Sequence, residues 1–493
     1  MRTLLACLAL IVSACAFGAG TSTESATTTT HGEPTRGPTA TLLFVGDVMV
    51  GRRVLPVLER DGPGVFEGVR FVVSSADLAV ANLESPLTGR PHISSNPNAL
   101  EAPSAAAGLL AGAGFDLMTL ANNHSGDAGP AGLVDTIDAL AEVGVREVGA
   151  GDDLAEAGKA VQVDVGGVSI AFLAFDVTHL GLEAGRDDPG VFSYSPVPAH
   201  RLVEEVSSTS DLVVVSLHGG VEYLSEVDPI LEGVSADLIG WGADVVWGHG
   251  SHVGQPVSLI EARHGRPAIV ATSLGNFLFD QQRRSTQTGL ILETLVSRDG
   301  VEAYRIGKAF HGDLRVAFMG WELPSASAVL LDGEWWSLVR DPATSSKQHV
   351  SVPGFPLGDV SDAGIGDVTG DGRSDLVVSY RHPFRDNEVN TLYQGRDFTD
   401  EEGRSAHLGV FDPVTLQPTW AAGTLLRPVA HVAVCDSSLA LAFDSLDDPE
   451  IVAAGAWTWW DFGFATAPDL PGVGSPSCVD VDGDGLTDPV ISR

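Results

Sequence analysis

The sequence predicts an α/β fold followed by a smaller all-β module, and three observations predict it. Seven short apolar runs in the first 300 residues each stop at polar residues able to bind a metal or a phosphate. Segments with helical periodicity alternate with those runs, the pattern of a largely parallel sheet. Beyond residue 320 the texture changes to Trp, Gly, Pro and Asp with short strands and no convincing helix. At 493 residues the chain is too long for one ordinary core, which agrees with two domains.

Residues 1–20 stand outside the fold. Arg2, an apolar stretch from Leu4 to Val12 and a run of small residues form a secretory signal. Val12-Ser13-Ala14-Cys15 resembles a bacterial lipobox, which makes Cys15 the lipidated residue of the mature chain. Ordinary cleavage at the small-x-small pattern Ala14-Cys15-Ala16 is the alternative. A Ser/Thr-rich stretch, 21–40, then reads as a disordered tether. No other segment reaches membrane-spanning length, so the expectation is an exported protein on the outer face of the membrane, held by its lipid anchor only. A secreted chain is the alternative.

The strands of the first domain, 41–318, follow in order. Run 42–45 leads into Gly46-Asp47, 78–81 into Asn82-Leu83-Glu84, and 117–121 into Asn122-Asn123-His124. Run 168–175 leads into Asp176, and 212–217 into His218. Run 245–247 leads into Gly248-His249-Gly250-Ser251-His252, and 268–274 into Gly275-Asn276. Such runs read as strands buried on both faces, and ligands of these sheets sit beyond the carboxyl ends of the strands. The clearest helix starts near Pro130, carries Leu133, Ile137, Leu140 and Ala141 at helical spacing, and ends at Gly144, with Asp127 as its cap. A second, 153–159, enters a strand at 161–165 and a hairpin turn at Gly166-Gly167. Strand-like alternation over 289–318 completes the domain.

Asp47, Glu84, Asn123, His124, His218, His249 and His252 supply carboxylate, amide oxygen and imidazole, a mixture suited to Mn²⁺, Fe or Zn²⁺ in one or two sites. Each residue alone has a bland structural explanation; the recurrence at strand ends predicts one shared pocket. Asn82, Glu222 and Asn276 are candidate substrate contacts or supports of the ligands, and loop anchoring by hydrogen bonds to backbone is their alternative.

These motifs resemble the CapA family, whose members are named for poly-γ-glutamate capsule biosynthesis. Carrying the resemblance are Gly46-Asp47-Val48-Met49, Asn82-Leu83-Glu84-Ser85-Pro86-Leu87-Thr88 and Ala121-Asn122-Asn123-His124. It continues through Ser216-Leu217-His218-Gly219-Gly220-Val221-Glu222-Tyr223, Gly248-His249 with His252, and Ser273-Leu274-Gly275-Asn276-Phe277. The resemblance implies a metallophosphoesterase-like sandwich of two sheets flanked by helices. It also implies Asp47 as the first-strand acid, Glu84 as the bridging carboxylate, Asn123 as a ligand amide, His124 as the catalytic imidazole, and His218, His249 and His252 as late ligands. After Asp47 come Val48 and Met49, so the Asp-x-His pair of phosphoesterases is absent, and the last motif is Gly-His-x-x-His instead of Gly-His-x-His. Gly219 and Gly250 replace bulkier residues of many relatives, which is expected to open the pocket.

In the C-terminal module, 319–493, Asp367 to Asp375 and Asp480 to Asp488 repeat one acidic, glycine-rich pattern at an offset of 480 − 367 = 113 residues. Both resemble FG-GAP/VCBS calcium loops. The candidate Ca²⁺ ligands are Asp480, Asp482, Asp484, Asp488 and the Leu486 carbonyl, and more weakly Asp367, Asp371 and Asp375. A merely solvated turn is the alternative. Cys435 and Cys478 form a candidate disulfide, or else two buried thiols.

With 28 basic against 65 acidic residues the formal charge is −37, which excludes nucleic acid and anionic lipid headgroups as natural partners. The function expected is that of a metal-dependent hydrolase or transferase-like factor acting on an anionic envelope polymer such as poly-γ-glutamate, alongside capsule-synthesis membrane proteins. The competing readings are a non-catalytic scaffold on the same fold and a calcium-dependent adhesion module.

Overall fold

The apolar runs are strands of two sheets packed face to face. In the computed structural model the described residues are 38–90, 99–262, 265–322, 328–331, 334–339, 350–352, 355–369, 371, 373–383, 404–421, 425, 428–435, 438–444, 451–460, 463–469, 475–479 and 488–492. The signal, Cys15, most of the tether and the loop residues Asp480, Asp482, Asp484 and Leu486 lie outside them.

Strands β1 (Thr39–Val48), β2 (Leu78–Leu83), β3 (Leu117–Thr119) and β4 (Arg146–Val148) are successive parallel neighbours of the first sheet. Strand β5 (Ala150–Gly151) leaves that sheet, and the hairpin β6 (Val161–Val165) and β7 (Val168–Asp176) turns at Gly166-Gly167. After the short β8 (Gly190–Val191), which pairs with β5, come β9 (Leu212–His218), β10 (Val245–His249), β11 (Val257–Glu261) and β12 (Pro267–Ala271). The second sheet has the order β11-β12-β10-β9-β7-β6, with β7, β9, β10 and β12 parallel and an antiparallel strand at each edge. Strand β13 (Asn276–Leu278) returns to the first sheet parallel to β1, and β14 (Thr288–Ser297) and β15 (Gly300–Phe310) continue it antiparallel. That sheet carries on past residue 318. Strands β16 (Ala317–Trp321) and β18 (Glu334–Leu338) both pair with β15, while β17 (Ala328–Leu331) joins β18 to β19 (Val350–Ser351).

Alternation along the strands sorts the core into layers. Phe44, Val80 and Leu117 of the first sheet meet Phe172, Val214 and Trp247 of the second in one buried cluster between the sheets. The residues one position away, such as Leu43, Ala79 and Met118, face outward onto helices α1 (Leu55–Asp61), α2 (Glu67–Val73), α3 (Ala107–Ala113) and α4 (Gly129–Glu142). On the second sheet Leu173, Val215 and Val246 face α6 (Pro196–Ser207) and α7 (Pro229–Trp241), with α5 (Leu154–Ala157) at one side. Helix α6 shows why it packs there: Ala199, Val203 and Val206 fall on one stripe, and Pro196 sits in the first turn. The result is the two-sheet α/β sandwich flanked by helices. Trp247 locks it, burying its ring against Phe44 at 5.4 Å and donating from Nε1 to the Val45 carbonyl at 3.0 Å. Each large side chain buried in this way contributes about 1.5–3 kcal/mol.

Glu147 on β4 is a local liability. Burial, with Glu156 nearby, pushes its carboxyl up to about 7, and its Oε2 is buried without a hydrogen-bond partner. The folded state therefore prefers the protonated acid, so this group's contribution is intact below the ordinary value of 4.5 and is lost as pH rises toward 7. Glu147→Gln is expected to raise stability by about 2 kcal/mol at pH 8 and to change little at pH 4.5, read as the difference between denaturation midpoints.

Two four-stranded antiparallel sheets follow. The first contains β20 (Asp359–Gly366), β21 (Asp375–Pro383), β22 (Arg404–Phe411) and β23 (Pro418–Ala421), and the second β24 (Val429–Cys435), β25 (Ser438–Asp444), β26 (Ile451–Trp460) and β27 (Gly463–Asp469). A hairpin of β28 (Ser475–Val479) and β29 (Asp488–Ser492) completes the set. The two four-stranded sheets pack through Val377, Leu408 and Val410 against Val432, Leu439 and Leu441. The earlier acidic pattern falls between β20 and β21, and the later one between β28 and β29. In the earlier one Asp375 Oδ2 accepts from Thr369 N at 2.9 Å and Asp367 Oδ1 from Asp371 N at 3.0 Å, and Asp488 opens β29. Cys435 and Cys478 are joined by a disulfide between β24 and β28, with Cα atoms 5.3 Å apart.

Candidate metal centre

Strand order determines which polar residues meet. Parallel pairing brings the carboxyl ends of β1 and β2 together in the first sheet and those of β9 and β10 together in the second, with Asp47 beside Asn82 and Asn276, and His218 beside His249. The sandwich then sets the two ends facing each other. Asp47 is fully buried; its Oδ1 accepts from Asn82 Nδ2 at 2.8 Å and lies 3.5 Å from His249 Nδ1. Its Oδ2 lies 3.2 Å from His252 Nδ1 without a well-directed hydrogen bond. One ligand atom each from Asp47, Glu84 and His218 falls within 4.8 Å of the others, in a buried group. His124 Nε2 approaches Glu84 Oε1 at 3.9 Å.

Several buried atoms at this convergence have no hydrogen-bond partner: Glu84 Oε2, Asn123 Oδ1 and both ring nitrogens of His249. Leaving such atoms unmet costs about 1–3 kcal/mol each. Two carboxylates and an imidazole with ligand atoms within 4.8 Å of one another, beside partnerless buried atoms of Glu84, Asn123 and His249, fit a divalent cation. The electrostatics agree. Burial and the charge of Asp47 push the Glu84 carboxyl up to about 8. Burial would raise Asp47 as well, but the imidazoles of His252, His249 and His218 hold it well below the usual range. Burial holds His218 down to about 3 and His249 to about 4, so both are neutral and able to donate a lone pair. His252 goes the other way, to about 9, because Glu84 and Asp47 outweigh its burial. A cation here takes over the charge balance that these protons now provide.

The supporting residues have distinct tasks. Asn82 orients Asp47 and, at 3.3 Å, contacts His218 Nδ1. Asn276 Oδ1 meets His252 Nδ1 at 2.9 Å, and its amide nitrogen is used by Gln281 and the Thr286 carbonyl. Asp127 corrects the sequence reading: helix α4 has Ala128 at its N-cap and no side-chain cap. The Asp127 carboxylate instead accepts from Leu100 N at 2.9 Å and lies 2.8 Å from His124 Nδ1. With Glu84 it raises the His124 pKa against the effect of burial. The signal for this role was the i,i+3 spacing of His124 and Asp127. Asn122, also buried, organises the loop by accepting from His124 N and Ser125 N.

A cavity of about 390 Å³ opens beside these groups. Glu84, Asn123, His218, His252 and Glu222 line its polar side; Val177, Leu180, Val221, Ile230 and Leu231 make an apolar wall that the motifs did not reveal. Gly219 and Gly250 both border it. At Gly250 φ is +101° and an added Cβ would stand 2.6 Å from the Gly219 carbonyl oxygen, so no side chain fits there.

The family described as "Bacterial capsule synthesis protein PGA_cap" matches residues 41–281. The chain is 31% identical over 275 residues to the PGA biosynthesis protein CapA of Bacillus subtilis, covering 53% of this chain and 69% of that relative. It is 32% identical over 263 residues to the capsule biosynthesis protein CapA of Bacillus anthracis, covering 51% and 63%. A probable polyglutamine synthesis accessory protein of Mycobacterium tuberculosis is 33% identical over 162 residues, 30% of this chain and 42% of its own length. Among solved structures the 5'-nucleotidase precursor from Thermus thermophilus aligns with a TM-score of 0.34 and 15% identity over 57% of this chain and 54% of its own. Matched in family and in relatives across its first domain, this chain belongs to the PGA_cap family of bacterial capsule synthesis proteins, the CapA proteins.

Proposed function

We propose that this chain serves poly-γ-glutamate capsule biosynthesis as a metal-dependent hydrolase or transferase-like factor. It would stand on the outer face of the cell membrane, anchored at Cys15, beside the membrane proteins that make the polymer. The observation that carries the reading is the buried group of Asp47, Glu84 and His218, drawn from two sheets, beside a cavity that Glu84 and His218 line. The names of the relatives supply the pathway and the polymer.

Asp47, Glu84, Asn123, His218, His249 and His252 would hold Mn²⁺, Fe or Zn²⁺, which when bound polarises an acyl or phosphoryl oxygen. His124, kept basic by Asp127, holds a proton beside Glu84 and can deliver it from Nε2 to a leaving group. Asn82 and Asn276 keep the acid and the imidazoles in register. The apolar wall keeps water from that side of the substrate. The acidic loops of the C-terminal module would take structural Ca²⁺, for which millimolar extracellular calcium suffices.

The test is turnover of poly-γ-glutamate and of aryl phosphates by the full chain with Mn²⁺, Zn²⁺ or Fe²⁺, together with elemental analysis. His124→Ala is expected to lower turnover by about 10²–10⁴-fold while metal content and melting temperature stay near wild type. No turnover with any metal would instead favour a scaffold that holds polymer. Met49 supports that second reading, being buried with its sulfur 3.1 Å from Gly51 N where phosphoesterases carry a histidine.

A further inference from the structure

A chain of charge −37 repels a polyanion, yet two of its 28 basic residues, Arg52 and Arg283, lie over rings that neighbour His252, and Arg53 follows Arg52 in the same loop. Arg52 and Arg53 come from the loop after β1, and Arg283 from the loop after β13. Arg52 is committed to Asp280 and lies 5.8 Å from the centre of the Phe279 ring, which itself packs on His252 at 4.9 Å. The Arg53 guanidinium donates to the Gln282 side-chain oxygen. The Arg283 guanidinium sits 3.9 Å over the Tyr223 ring, and that ring is 6.3 Å from His252. Its shelf is built into the site: Tyr223 N donates to the Ser251 carbonyl at 2.7 Å, and the Tyr223 hydroxyl meets Gln281, which also holds Asn276.

The acid beside Arg52 is already used: Asp280 takes its guanidinium, while burial and the neighbouring Glu222 raise the Tyr223 hydroxyl pKa. Among the described residues neither Arg53 nor Arg283 has a carboxylate partner, and both are exposed. A guanidinium held by its face on an aromatic ring keeps its N–H edge free for an oxyanion, and that fork matches a carboxylate.

We propose that Arg283, carried on Tyr223, and Arg53 form a subsite for a carboxylate of the polymer, taken at a residue neighbouring the one that enters the metal centre. This rests on the reading of poly-γ-glutamate as substrate. It gives the acidic chain a local means of holding an acidic polymer, and it predicts tighter binding of longer oligomers.

The experiment measures fluorescence anisotropy of labelled poly-γ-glutamate oligomers with the full chain at low and high salt. Arg283→Ala is expected to bind about tenfold more weakly and with less salt dependence. Arg283→Lys should recover part of the loss, Arg53→Ala should weaken binding less, and Arg298→Ala, whose side chain binds the Gly167 carbonyl, should match wild type. In any variant with turnover the change should appear in KM with kcat kept. Residual binding by Asp47→Asn that falls further on adding Arg283→Ala would support the rim as a site separate from the metal centre. If wild type binds and Arg283→Ala binds equally, the subsite is wrong while the substrate reading stands. If wild type binds no oligomer, both fail. Tighter binding of polyphosphate of equal charge would overturn the carboxylate assignment.

Discussion

Changing Asp47 to asparagine should leave a folded chain that no longer retains a divalent cation. Asp47 is the hub of the site: Asn82, His249 and His252 all stand within 3.5 Å of its carboxylate. Asparagine keeps the shape and still accepts from Asn82, but it lacks the charge and has only one oxygen. Loss of a supporting residue around a metal typically lowers affinity by about 10–100-fold, and loss of the central ligand should exceed that. Titration with Zn²⁺ or Mn²⁺ followed by calorimetry reads the affinity, and circular dichroism the fold. Wild-type affinity in Asp47→Asn would place the cation elsewhere and remove the basis of the functional reading.

The largest stability effect is expected one residue earlier. An alanine Cβ at Gly46 would lie 1.7 Å from the Gly275 carbonyl oxygen, the same oxygen that accepts from Asp47 N at 2.9 Å. Both clashing atoms are backbone-fixed, so no rotamer change relieves the contact, and β1 must move away from the β13 side of its sheet. Gly46→Ala should therefore cost about 4 kcal/mol or more, enough to unfold a marginal domain. Gly108 is the matched control. It is exposed in α3 with open space around the added methyl, and Gly108→Ala should stabilise by about 0.5–1 kcal/mol. Denaturant midpoints compare the two directly, and a stable Gly46→Ala chain would show that the two loops can separate freely.

Much of this arrangement was legible from residue order. Apolar runs identified every strand that carries a site residue on its carboxyl end, because burial on both faces demands continuous hydrophobicity. The meeting of Asp47, Glu84 and His218 was legible for a related reason: each parallel sheet gathers its strand ends on one side. Other features depend on pairs far apart in sequence. The indole of Trp247 finds the carbonyl of Val45 across 202 positions and Arg52 finds Asp280 across 228, and no local period encodes either. Asp127 was misread because an acid before Pro130 looks like a cap; the loop instead turns it toward His124. Strands β17 to β19 were assigned to the later module by composition, whereas pairing of β18 with β15 and of β17 with β18 and β19 joins them to the first sheet. The apolar wall of the cavity comes from scattered loop residues that share no spacing.

The site is divided between two hydrogen-bond ladders: Asp47, Asn82 and Glu84 belong to one, His218 and His249 to the other. Side-chain packing and the Trp247 indole align those ladders, together with Leu274, whose N donates to the Gly248 carbonyl while its own carbonyl takes Leu290 N. A shear of roughly one ångström along their common plane would pull acids from imidazoles while leaving every strand intact, a misplacement large enough to cost a centre its chemistry. The spacing of acids and imidazoles here is therefore hostage to remote methyl groups in the interior. A bound ion, by the same geometry, becomes a rivet whose affinity is returned as resistance to sliding.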